Sequence, residues 1–249
     1  MLEDLTIDAQ NLHYKELNLR IREKIKENNK NIKLINVNGQ RYICAGITGS
    51  EINVKVIGIP GNDLGAFMNG PKIEVLGNAQ DGVGNTMNDG KIIIHGIAGD
   101  IIGYGMRGGS IYVKGNVGYR VGIHMKEYQE KIPVIVIGGY AGDFLGEYMA
   151  GGRIIVLGLD LQNKEDIVGY YCSTGIHGGV IYLRGFVPEY KLGKEGKVLE
   201  TDEKDMDFIS FHVKKFSEYF HIDYEYIISE KFYKIVPYNK RPYGNLYAY

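Results

Sequence analysis

The 249-residue chain is 44% hydrophobic, with 29 basic against 30 acidic residues; that composition supports a sizeable core, and a net charge of −1 offers no global field to nucleic acid or an anionic membrane. Its opening residues, Met1-Leu2-Glu3-Asp4, form no basic lead or apolar segment, and no apolar run approaches the roughly eighteen residues of a membrane span, so a soluble cytoplasmic protein is expected. Cys44 and Cys172 form no close pair, which argues against a zinc ribbon, an iron–sulfur cluster or a disulfide framework, whereas 35 glycines and 20 tyrosines without tryptophan point to a repeat.

In chain order, residues 12–29 are predicted to form an amphipathic helix with Leu17, Ile21 and Ile25 on one face. A strand over 32–37 and the turn Asn38-Gly39 follow, which makes residues 1–36 a terminal cap. Residues 37–187 then repeat. A marker glycine stands at 46, 65, 84, 103 and 122, a constant spacing of 19, and then at 146 and 169, spacings of 24 and 23. The slot before it reads Ala45, Leu64, Val83, Ile102, Val121, Leu145 and Val168. Three residues after it come Met68, Met87, Met106, Met125, Met149 and Cys172. Columns that stay apolar from one unit to the next are the mark of stacked coils sharing one interior.

Each unit also carries an alternating segment, such as Ile73-Glu74-Val75, Ile111-Tyr112-Val113 or Val134-Ile135-Val136, whose outer members are expected inward and whose middle member can face out. Glycine pairs such as Gly108-Gly109 mark tight corners before these segments. One unit cannot bury its apolar slots alone; seven stacked at the inter-strand spacing would make a core roughly 34 Å long. The expected class is therefore all-β, a right-handed parallel β-helix of about seven coils with helical caps at both ends. Two insertions, Lys126–Lys131 and Ser173–His177, break the period near His124 and His177, and insertions in solenoids collect on binding faces. Residues 188–249 read as a linker over 189–203, a helix over 204–220 carrying Met206, Ile209, Val213 and Phe216, and a tyrosine-rich arm expected to pack on the coils or a partner.

No catalytic, cofactor-binding or metal-ligating residue is assigned. Gly103-Tyr104-Gly105-Met106-Arg107-Gly108 matches the dinucleotide fingerprint, but the residues after it read as a strand where a helix N-terminus is required. Asn62, Asp81, Asp100, Tyr119, Asp143 and Asp166 form a column that suits capping of backbone amides in each corner better than calcium binding or hydrolysis. His95 and Lys114 share one slot and are expected as neighbours; no histidine pair has zinc-ligand spacing.

The runs Gly61-Asn62-Asp63-Leu64-Gly65-Ala66-Phe67-Met68-Asn69-Gly70 and Gly142-Asp143-Phe144-Leu145-Gly146-Glu147-Tyr148-Met149-Ala150-Gly151-Gly152 resemble the glycine-repeat (GXGXG) domain at the C-terminus of the glutamate synthase large subunit, over roughly Asn36 to Gly185. The resemblance implies a non-catalytic β-helix that braces a glutamine amidotransferase against an FMN-dependent synthase. It implies no cofactor in this chain, with FMN and the iron–sulfur cluster on partner subunits. The nucleophilic cysteine start and clustered cysteines of the catalytic domains are missing, so the chain looks like that domain as a stand-alone, archaeal-type subunit, with Arg241-Pro242-Tyr243-Gly244 in a docking arm and self-association left open. Two further assignments stay open: the C-type subunit of a formylmethanofuran dehydrogenase-like complex, and a stand-alone carbohydrate-active β-helix using Asp81 and Asp100.

Overall fold

In the computed structural model, residues 5–159, 161 and 166–238 are described. The residues from 239 onward, including Arg241-Pro242-Tyr243-Gly244, lie outside them, as do residues 1–4.

The N-terminal cap supplies β1 (Leu5–Asp8) and β2 (Asn31–Asn38), and the β-branched runs of the repeat then form one strand per coil: β3 (Asn53–Ile59), β4 (Asn69–Leu76), β5 (Asp89–Ile94), β6 (Ser110–Val113), β7 (Val134–Ile137), β8 (Ala150–Val156) and β9 (Gly178–Arg184). They pair in parallel in sequence order. The return leg of each coil is reduced to single parallel bridges, the column Ala79, Ala98, Val117, Ala141 and Val168. This is a parallel β-helix of about six turns, because seven successive corners enclose six intervals.

Inside, the register stacks Ile32, Val54, Ile73, Ile92, Ile111, Ile135, Ile154 and Ile181 into one ladder and Leu34, Val56, Val75, Ile94, Val113, Ile137, Val156 and Leu183 into a second. β7 therefore turns Ile135 and Ile137 inward, not Val134 and Val136 as the flanking pattern suggested. All four residues are buried, and a strand covered on both faces loses the alternation that reveals its register.

That second cover is α2 (Glu203–Phe220). The outward column reads Lys33, Lys55, Glu74 and then Ile93, Tyr112, Val136, Ile155 and Tyr182. α2 lays Ile209, Val213, Phe216 and Phe220 on its apolar part, making a second hydrophobic cluster separate from the coil interior. The C-terminal helix thus lies along the flank of the solenoid. α1 (Tyr14–Lys26), with Leu17 and Ile21 in the interior cluster, covers the first coil, and its Asn18 side chain donates to the Arg41 carbonyl at 2.9 Å.

At the other end, the segment expected as a linker is structured. A 3-10 turn (Glu189–Lys191) leads into β10 (Gly196–Glu200), and α3 (Tyr224–Ile228) precedes β11 (Phe232–Pro237), which inserts antiparallel between β9 and β10. The reason is edge chemistry: the outer edge of β9 would otherwise end the parallel ladder with a row of unpaired amides and carbonyls, and the antiparallel β11 pairs with it. The described part of the tyrosine-rich arm is therefore built into the last coil.

Candidate functional site

Each corner holds three residues in the left-handed backbone region at alternate positions, for example Gly82, Gly84 and Thr86, or Ile101, Gly103 and Gly105. The middle position points into the core. A Cβ on Gly84, Gly103 or Gly122 would stand 2.5 Å from Cδ1 of Ile111, Ile135 or Ile154, so glycine is required there twice over, by conformation and by space.

The end coils relax this demand, and there the register departs from the glycine spacing. The Gly65 amide donates to the Ile43 carbonyl at 2.8 Å, as the Gly84 amide does to that of Leu64, which puts Cys44 (φ 60°) in the middle slot of the first corner. The Ser173 amide donates to the Leu145 carbonyl at 2.7 Å, so Ser173 (φ 64°), not Gly169, takes the middle slot of the last. Cys172 accordingly follows Leu145 in its column, Ile176 takes the methionine slot, and Val168 lines up with Ala141. The second insertion lies before these residues, between Val156 and Val168, rather than at Ser173–His177; the first is where it was expected, with Tyr128 bridging Lys131. An insertion next to a chance glycine mimics a shorter repeat, and only coil-to-coil hydrogen bonds separate the two.

The outer two positions of each triplet face away from the core, and many are not glycine. Arg120, Phe144 and Tyr171 hold the first position on the last three coils, and His124 and Tyr148 hold the third on the fifth and sixth. A residue with a Cβ is disfavoured there by about 1–2 kcal/mol, so these side chains are kept against the preference of the backbone. They stack outward across coils. His124 lies parallel to Tyr148 at 5.4 Å and edge-on to Tyr104 at 5.9 Å; Phe144 stacks on Tyr171 at 5.0 Å, with the Arg120 guanidinium 4.5 Å above it. Gly105 interrupts the outer ladder. A cavity of about 250 Å³ opens there, lined by Thr86, Tyr104, Gly105, Arg107, His124 and Lys126.

Arg107 and Lys126 occupy equivalent slots on successive coils, and neither makes an ion pair among the described residues. Three carboxylates of these coils are engaged elsewhere, whereas the exposed Glu130 makes no ion pair among the described residues. Glu147 takes Arg120 at 3.0 Å, Glu127 takes Arg153 at 2.9 Å, and Asp89 takes Lys131 at 2.7 Å. Of the two histidines singled out by the insertions, His124 belongs to this edge. His177 turns its Nδ1 to the Gly175 carbonyl at 3.1 Å and takes no part in the stack. Tyr104, Arg107 and Tyr148 were missed because they are ordinary surface residue types; the signal for Tyr104 and Tyr148 was a non-glycine residue in or beside a left-handed slot, and Arg107 carried none.

The aspartate column ties coils together. Asp81, Asp100 and Asp143 each accept through Oδ1 from an amide of the next coil (Asp100, Tyr119 and Tyr170) at 2.7–2.9 Å, whereas corner-local capping was expected. Asp166 is not in the column and pairs with Lys191 at 2.6 Å. Carboxylates used this way serve the stack, and no group of three metal-ligating side chains occurs among the described residues. The dinucleotide-like run is a corner followed by β6, without the helix that a pyrophosphate needs. His95 and Lys114 are neighbours as expected, each one residue beyond the paired Ile94 and Val113 of successive coils, and the His95 side chain meets Glu74 at 3.0 Å.

A second polar cluster fastens α2. His212 Nδ1 lies 2.8 Å from the Tyr112 hydroxyl, and the Tyr182 hydroxyl donates to Asp205 at 2.9 Å. Lys234 reaches Asp205 at 2.5 Å and Asp202 at 2.9 Å. Burial holds His212 down to a pKa of about 4 and pushes the Tyr112 and Tyr182 hydroxyls upward. These groups are shut under a helix and so serve its attachment. Burial likewise pushes both thiols up to about 12. Among the described residues no helix is long and apolar enough to cross a membrane.

A family model described as the GXGXG motif matches residues 3–239. The chain is also similar to an uncharacterized protein, MJ1350, of Methanocaldococcus jannaschii, at 47% identity over 254 aligned positions that cover 99% of this chain and 97% of the relative.

Proposed function

The chain belongs to the GXGXG motif family, and from that premise we propose that it is a non-catalytic coupling subunit of a split glutamate synthase. In this reading it braces separate glutamine amidotransferase and FMN-dependent synthase chains, and the FMN and the iron–sulfur cluster reside on those partners. The observation that carries the reading is that the family match takes in nearly the whole chain, while its corner glycines pack against the core, its aspartate column bonds successive coils and both thiols are buried. The glutamate synthase assignment rests on the resemblance of the glycine runs to that enzyme's large subunit.

The test is reconstitution. Co-expressed with the amidotransferase and synthase chains of the same organism, the protein is expected to co-elute with both and to raise glutamine-dependent glutamate formation. Failure to bind either chain overturns the proposal. Co-purification from native extract with molybdenum- or tungsten-containing iron–sulfur proteins would instead support the formylmethanofuran dehydrogenase-like assembly.

A further inference from the structure

Three parts of the solenoid surface have an evident structural use. α1 covers the first coil, the antiparallel β11 and β10 close the last, and α2 occupies the apolar part of the strand face. The corner edge is different. It projects aromatic and cationic side chains from backbone positions that favour glycine, and His124 and Tyr148 remain exposed there. A side chain held against its backbone preference and making no contribution to the core points to a role outside the fold.

We propose that the corner edge over the fourth to sixth coils docks an acidic surface segment of a protein partner, with the notch at Gly105 receiving one of its carboxylate side chains. The occupant follows from charge. Arg107 and Lys126 stand side by side on successive coils, unpaired among the described residues, while Asp89, Glu127 and Glu147 are each held by another cation. The size agrees: the absence of a side chain at Gly105 leaves a cavity of about 250 Å³, room for one side chain rather than a cofactor. The walls agree as well. Tyr104, His124 and Tyr148 form a preassembled stack, and tyrosine and arginine are the residues that dominate protein–protein contacts. Tyrosine rings lose little conformational freedom when covered, so a short segment could be held without a deep groove.

The inference rests on the reading of the chain as a docking subunit, and its test separates the two. A hexaglutamate peptide titrated into the isotopically labelled full chain is expected to give saturable amide shifts at Gly105, His124 and Lys126. The double variant Arg107→Gln/Lys126→Gln should weaken the peptide at least ten-fold. His124→Gly, which places the favoured residue in a left-handed slot, should leave the melting temperature undiminished while weakening the peptide at least three-fold. Shifts elsewhere, unchanged affinity in either variant, or equal shifts with inorganic phosphate at the same concentration would overturn the proposal.

In the co-expressed complex, the double variant should bind its partner at least ten-fold more weakly with a shallower salt dependence. A complex that forms equally well with the double variant sinks the docking edge and leaves the coupling role standing. Peptide binding without any complex does the reverse.

Discussion

Replacing Gly103 by alanine should destabilise the protein far more than the same change two residues later, although both glycines have left-handed φ angles, 68° and 57°. At Gly105 the new Cβ meets nothing nearer than Thr86 Oγ1 at 3.6 Å. Only the conformational term remains, about 1–2 kcal/mol, partly offset by the smaller entropy of the unfolded alanine chain. At Gly103 the Cβ would stand 2.5 Å from Ile135 Cδ1, and Ile135 is fully buried between Ile111 and Ile154. Forcing an atom into such a core adds about 1–3 kcal/mol, for an expected total of about 2–5 kcal/mol. Equilibrium urea unfolding of both variants, followed by far-ultraviolet circular dichroism, measures the difference. Ile135→Val removes the obstructing methyl and alone costs about 0.5–1.5 kcal/mol; combined with Gly103→Ala it should recover part of the loss, a coupling of at least about 0.5 kcal/mol. Equal destabilisation by the two alanines, or strict additivity of the pair, would refute the account of the middle slot as a packing position.

Three other outcomes follow from the same geometry. His212 has a folded pKa of about 4 against an ordinary 6.5, so the unfolded chain binds a proton that the native one refuses; stability is full above pH 6.5 and declines as pH falls toward 4, by up to about 3 kcal/mol. His212→Gln should flatten that slope in urea midpoints measured across the window, and an unchanged slope would contradict the pairing. Phe216→Ala should cost about 3–5 kcal/mol and expose the 189–203 segment to limited proteolysis, because Phe216 is fully buried in the cluster under α2. Cys44 and Cys172, both buried with pKa values pushed to about 12, should resist thiol-reactive disulfides in the native protein at pH 8 and react together in urea; mass spectrometry counts the labels.

The parallel solenoid was legible in the linear chain because its determinants recur. Leu64, Val83 and Ile102 fill one slot at constant spacing, and a core shared by stacked units must repeat wherever the coils do. The aspartate column was legible for the same reason, and its use in hydrogen bonding was foreseen, though not its partner on the next coil. Where repetition fails, local pattern loses its hold. Gly46 and Gly169 kept an approximate spacing while Cys44 and Ser173 took the structural slot, since nothing in a one-dimensional period records which amide meets which carbonyl. The outward column turns from Lys33, Lys55 and Glu74 to Ile93, Tyr112 and Val136, which in hindsight announces a covering element; the identity of that element as α2 depends on a contact between residues about a hundred positions apart. The corner edge belongs to the same category. Tyr104, Arg107, His124, Lys126 and Tyr148 are scattered in the chain and become one surface only because coils stack at the spacing of β-strands. The repeat by itself determined the scaffold, and the three-dimensional register decided which side chains it brings together, because register is set by hydrogen bonds and packing between coils, a relation absent from any single repeat.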